Sequence, residues 1–157
     1  MNRRSIILLA GLVIIGCSRG PQELAPPEVQ FGQTNCSECG MTVGDEHYAA
    51  AEIVETPKGE RLGKVFDDIG CMLAYEREQR DGKVLSRWVK DYDSRQWLPA
   101  LEAVYVRGER IHSPMAYGIL AAANVDEAAK LARAKGGRTL NLLALQSAEH
   151  PATAAAR

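Results

Sequence analysis

Two stretches of this chain repeat the same order of periodicities, and that repetition constrains the fold more than any single motif. In the first, residues 48–54 (Tyr-Ala-Ala-Ala-Glu-Ile-Val) suit a strand, residues 56–60 (Thr-Pro-Lys-Gly-Glu) a turn, and residues 62–66 a second strand. Asp67 or Asp68 then caps a predicted helix to about residue 79, with Ile69, Met72, Leu73 and Glu76 spaced along one face. Asp81-Gly82 turns the chain into a third strand over 84–92. In the second stretch, residues 101–106 and 115–122 read as strands, and Asn124 caps a helix over 125–134 that stops at Gly136-Gly137. Residues 139–145 close the unit as a strand, although their leucines suit a helix equally well. The expectation is an α+β protein of two small ββαβ units packed together, over 35–98 and 99–148. A single mixed α+β domain is the simpler alternative.

The ends are expected to lie outside that fold. Arg3 and Arg4 precede an apolar or small run over 5–15, which ends at Gly16 and Cys17. At roughly 11 residues the run is short of the ~20 that a helix needs to span a bilayer. It fits a cleavable secretory signal over 1–16. Ile14-Ile15-Gly16-Cys17 resembles a lipobox, which implies cleavage before Cys17 and lipidation of that cysteine. The lipid would replace a transmembrane helix as the anchor. Ser18 rather than Asp after the lipidated position resembles the pattern of lipoproteins sorted to the outer membrane, facing the periplasm. Residues 17–34, with three prolines, read as a lipidated cysteine and flexible tether, and 149–157 as a disordered tail.

Losing residues 1–16 leaves 141 of 157, enough for one domain or two small subdomains. The formal net charge of −1 lacks the basic footprint of a nucleic-acid binder. Of four cysteines, lipid would consume Cys17 and leave Cys36, Cys39 and Cys71. Three is an odd number for an oxidising compartment, so a disulfide framework explains the set poorly.

The strongest internal motif is Asn35-Cys36-Ser37-Glu38-Cys39-Gly40-Met41. C-x-x-C spacing can aim two sulfurs at one point, Gly40 permits a turn, and Met41 adds a thioether. Soft donors of this kind favour Cu(I) over hard ions. Three other readings stand beside copper: a redox dithiol, a structural zinc completed by Cys71 and a histidine, and a plain Cys36–Cys39 disulfide. A c-type haem is excluded, because Gly40 stands where its attachment motif requires His.

His112-Ser113-Pro114-Met115 is a second candidate, since Ser-Pro stiffens the backbone that presents Met115. A methionine there is more often core filler, yet a cleft between two units is a natural place for one ion. His47, six residues past Met41, is a further donor within reach; His112 and His150 read as surface and tail. Cys71 reads as a small buried hydrophobe, and Trp88, Trp97, Tyr92 and Tyr105 as core or sheet surface. No nucleophile–base set, phosphate loop or carboxylate pair stands out, so the chain is expected not to be an enzyme.

Taken in order, the lipobox, Cys39-Gly40-Met41, Phe66-Asp67-Asp68 and Ser113-Pro114-Met115 resemble the NosL family over roughly residues 35–145. That resemblance implies a lipid-anchored, periplasm-facing Cu(I) chaperone of two ββαβ units. Its implied partners are the nitrous oxide reductase maturation machinery, a membrane transporter complex and the reductase itself, whose copper–sulfide centre receives the metal in denitrification. By resemblance Cys39 is the anchoring thiolate, and Met41 and Met115 match the family's methionine positions. Some members carry a histidine where this chain has Ser37; Cys36 ranks ahead of His47 as the replacement ligand. The rival functions are a periplasmic thiol–disulfide oxidoreductase using Cys36 and Cys39, and a zinc-stabilised interaction module.

Overall fold

The computed structural model describes residues 24–78 and 82–148. The expected signal segment, Cys17, the first part of the expected tether, the expected helix end at Gln79, Asp81 and the expected tail with His150 lie outside the described residues.

The first unit contains strands β1 (Ala50–Glu55) and β2 (Arg61–Phe66), helix α1 (Ile69–Arg77), and strands β3 (Lys83–Lys90) and β4 (Trp97–Pro99). Its sheet has the order β2-β1-β3-β4, with every neighbouring pair antiparallel. The second unit follows with β5 (Val104–Arg107), β6 (Ile119–Ala122), helix α2 (Val125–Lys135), β7 (Arg138–Leu140) and helix α3 (Leu142–Ala148). Its order is β6-β5-β7, again antiparallel. In each sheet the unit's first strand lies in the middle, its hairpin partner on one side and the strand after the helix on the other. The ββαβ order therefore occurs twice, as the periodicities predicted.

Five local expectations shift, each for a physical reason. β4 adds an unanticipated edge strand, paired through Trp97, Leu98 and Pro99 to β3. Leu101 and Glu102 form a turn bonded back to Pro99, so β5 starts at Val104. Residues 115–118 are not strand, because Ala116 (φ 59°) and Gly118 (φ 66°) adopt left-handed backbone that no ladder accommodates. The stretch expected to close the second unit divides at Asn141, whose side chain accepts the Ala144 N–H at 2.8 Å and starts α3. The tether expected through residue 34 ends sooner. Val29 and Phe31 pack on the core, and the Gly32 N–H donates to the Val43 carbonyl at 2.9 Å.

One core cluster spans both sheets, and a second packs α2 on β5 and β6. Every residue of α1 from Ile69 to Tyr75 is buried, which marks a helix held by packing on all sides rather than by an amphipathic stripe. Phe66, Ile69 and Met72 from the first unit meet Tyr105, Ile119, Leu142 and Leu145 from the second. Side chains of this size each contribute roughly 1.5–3 kcal/mol on burial. The two units are also joined by hydrogen bonds: the Tyr92 N–H donates to the Ala121 carbonyl at 2.8 Å, and the Ala123 N–H to the side-chain Oδ1 of Asp91 at 2.9 Å. Among the described residues no helix is long and apolar enough to cross a membrane.

Candidate metal centre

The Cys36–Met41 segment is a tight reversal anchored at both ends. The Cys36 N–H donates to the Met41 carbonyl at 2.7 Å, and the Gly40 N–H to the Cys36 carbonyl at 3.0 Å. Gly40 has φ 75°, a conformation that L side chains resist. Ser37 ties the turn to the end of β2: its N–H donates to the Val65 carbonyl at 2.7 Å, and its hydroxyl accepts the Val65 N–H at 3.2 Å. β2 leads through Asp67 and Asp68 directly into α1, which carries Cys71 in its first turn. The connection is short, so Cys71 returns to the turn that β2 holds.

The result is a cluster of three sulfurs. The Sγ atoms of Cys36, Cys39 and Cys71 all lie within 4.8 Å of one another. Cys36 and Cys71 are buried, while Cys39 is half-buried and forms the accessible corner. Cys71 is buried, as its reading as a small hydrophobe expects, and it also stands beside two other thiols. The signal available in the sequence was the odd thiol count together with its place just after the helix cap.

Charge in the cluster settles on Cys36. The Cys71 thiol donates to its sulfur, the N–H groups of Cys39, Asp67 and Glu38 also point at it, and together they outweigh burial and hold its pKa down at about 5. Cys71 moves the opposite way, pushed up by donating to Cys36 and by burial. Burial likewise pushes Cys39 up, against the Met41 N–H that favours its thiolate. The resting cluster is one thiolate flanked by two thiols.

The two aspartates divide their work. Asp68, not Asp67, is the helix cap: its Oδ1 accepts the Gly70 N–H at 2.8 Å. Its Oδ2 accepts the Ser113 hydroxyl at 2.5 Å and the Met115 N–H at 3.1 Å. Asp67 instead secures the chain after the motif, accepting the Gly44 N–H at 3.1 Å. Burial pushes both carboxyls up, and for Asp68 the bonds from Ser113, Gly70 and Met115 oppose it.

Met115 is half-buried and packs, like Cys39, against the core cluster that contains Cys36 and Cys71. Met41 is 56% exposed on the turn beside them. His47 stands apart from the sulfur group. Its Nδ1 lies 2.6 Å from Asp45 Oδ1, and its ring centroid lies 5.2 Å from that of Tyr92. His112 is exposed.

The model of the NosL family matches residues 29–149. This chain belongs to the NosL family. A crystal structure of the copper chaperone NosL from Shewanella denitrificans has the same fold, with a TM-score of 0.61 at 16% identity, covering 75% of this chain and 95% of that one. No curated protein sequence matches the chain. Family membership extends across both ββαβ units and includes the turn that carries the cysteines, so the three-sulfur cluster belongs to the NosL portion of the chain.

Proposed function

We propose that this NosL-family chain is a lipid-anchored periplasmic Cu(I) carrier that supplies copper for the copper–sulfide centre of nitrous oxide reductase. The observation that carries the metal reading is the convergence of the Cys36, Cys39 and Cys71 sulfurs within 4.8 Å. Thiolate donors in that number select soft Cu(I) and suit hard ions poorly. Cys36 supplies a ready thiolate, and Cys39 and Cys71 lose their protons to the incoming ion. The exposed Met41 and the half-buried Met115 are the proposed thioether ligands, accessible to a copper-accepting partner. The matched Shewanella denitrificans protein is itself described as a copper chaperone. The proposed delivery partners are the nitrous oxide reductase maturation machinery in the membrane and the reductase. Cys17, with its lipobox, is the proposed attachment to the outer membrane, and tethering raises the local concentration for such exchange.

The rival functions fit this geometry less well. A closed structural zinc site takes four ligands, and among the described residues the group of cysteine, histidine and carboxylate donors has three members. A dithiol oxidoreductase presents its attacking thiolate to substrate, whereas Cys36, the thiolate here, is only 4% exposed.

The deciding experiment is anaerobic Cu(I) titration against a chromophoric chelator, with metal analysis of the purified protein. One Cu(I) per chain is expected, with binding lost in Cys39→Ser. Wild-type affinity in that variant would refute the site.

A further inference from the structure

A helix cap needs one carboxylate oxygen, and Asp68 uses Oδ1 for that purpose. Its second oxygen is given entirely to the other unit, where it accepts both the Ser113 hydroxyl and the Met115 N–H. Ser113 is fixed in turn, because its oxygen accepts the Gly118 N–H at 3.0 Å. All of this is enclosed: Asp68 is 0% and Ser113 8% exposed. Asp68 is also three residues before Cys71 and accepts the Cys71 N–H on its backbone carbonyl at 2.9 Å. Beside it, Tyr117 lies so close to Gly70 that the first turn of α1 and the 113–118 loop fit only with glycine there. One residue thus sets the backbone of a cysteine in the sulfur cluster and of a methionine from the second unit.

We propose that Asp68 and Ser113 are positioning residues for the metal, fixing the Met115 loop on the first turn of α1 so that its thioether is held against the three-sulfur cluster. The inference rests on the reading of this site as a Cu(I) site with Met115 as a ligand. Neither Asp68 nor Ser113 touches the ion. They act by removing the freedom of the 113–118 loop before copper arrives, so that binding does not have to order it. Charge-assisted bonds to a buried carboxylate have the strength for this.

A double-mutant cycle tests it. Cu(I) affinity is measured anaerobically by chelator competition for the wild type, Ser113→Ala, Met115→Ala and the double variant, all as lipid-free residues 17–157 and all checked for folding by circular dichroism. Ser113→Ala is expected to weaken binding about tenfold and to change it less than about twofold when Met115 is already alanine. Asp68→Asn keeps an oxygen for the cap but takes away the acceptor that Ser113 and Met115 share, and should show the same dependence on Met115. Copper X-ray absorption should show longer or fewer Cu–S contacts in Ser113→Ala, which a loss of stability alone would not produce. Equal weakening by Ser113→Ala in both backgrounds, or wild-type affinity in Ser113→Ala, overturns the positioning role while leaving the copper site standing. Wild-type affinity in Met115→Ala removes the methionine ligand and the positioning role with it. Wild-type affinity in Cys39→Ser removes the copper reading itself.

Discussion

The Cys71 thiol donates to the Cys36 sulfur, joining the first turn of α1 to the turn between Asn35 and Thr42. Cys71 therefore has two separable roles: a hydrogen-bond donor that stabilises a neighbouring thiolate, and a sulfur that can itself meet the metal. Cys71→Ser separates them, since serine keeps the donor and loses the soft ligand. The expected outcome is an apo protein with near wild-type stability whose Cu(I) affinity falls at least about tenfold. Chelator competition, paired with thermal unfolding of the apo form, checks both halves.

Cys36 should titrate far below an ordinary thiol. Its folded pKa is about 5, against 9.0 for an unperturbed cysteine. Because the folded value is the lower one, its contribution to stability is full above pH 9 and is lost as pH falls through 5. The thiolate absorbance of the reduced apo protein should persist at pH 7 and disappear near pH 5, and be missing in Cys36→Ser. With one thiolate already formed, binding Cu(I) to three cysteines at pH 7 should release about two protons. Calorimetry in buffers of different ionisation enthalpy measures that number.

The sequence carried the fold well and the site in part, for physical reasons. Strands and helices were visible because each ββαβ unit has its own apolar rhythm, as in β1 and α2. The short Trp97–Pro99 strand was not, because three residues are too few for an alternation to register. Leu142 and Leu145 could not choose between strand and helix until Asn141 was seen to cap. At the site, Cys36 and Cys39 were legible from their spacing alone. Cys71 was not, because its nearness to them comes from the path of β2 into α1, a tertiary fact. Asp68 looked like a cap and is one, but its second oxygen serves a serine 45 residues away, which no local pattern encodes.

Gly70 should tolerate no side chain. An alanine Cβ there would stand 1.9 Å from Tyr117 Cγ and 2.5 Å from its Cβ, so the conflict lies at the root of the ring and not at a mobile tip. Relief requires the 113–118 loop to move away from α1. Gly70→Ala is expected to cost about 1–3 kcal/mol, read as a lower urea midpoint, despite alanine being the better helix former. Pairing it with Tyr117→Ala should recover part of the loss, because the smaller side chain vacates the overlap.

At the other end of α1 a buried carboxyl pair should make stability fall with rising pH. Glu52 is 0% exposed on β1. Glu76 holds Arg87 through both its oxygens, with Arg87 Nη2 donating at 3.1 Å, and accepts Gln146 at 3.1 Å. Arg87 Nε stands 3.5 Å from Glu52, too far to satisfy it, and neither oxygen of the buried Glu52 carboxyl has a hydrogen-bond partner, which is costly for an ionised group. A proton on Glu52 resolves this, because the neutral carboxyl can then donate to ionised Glu76. Burial first, and Glu76 next, push the Glu52 pKa up to about 9. The folded value lies above the unfolded one, so this contribution is full below about pH 4.5 and is lost as pH rises through 9. Glu52→Gln supplies a permanently neutral donor of the same shape. Urea unfolding at pH 5, 7 and 9 should show the variant gaining on the wild type at each step, by no more than about 1.4 kcal/mol per pH unit. A constant difference across that range would mean that Glu52 is ionised in the folded protein and that Arg87 serves both carboxylates.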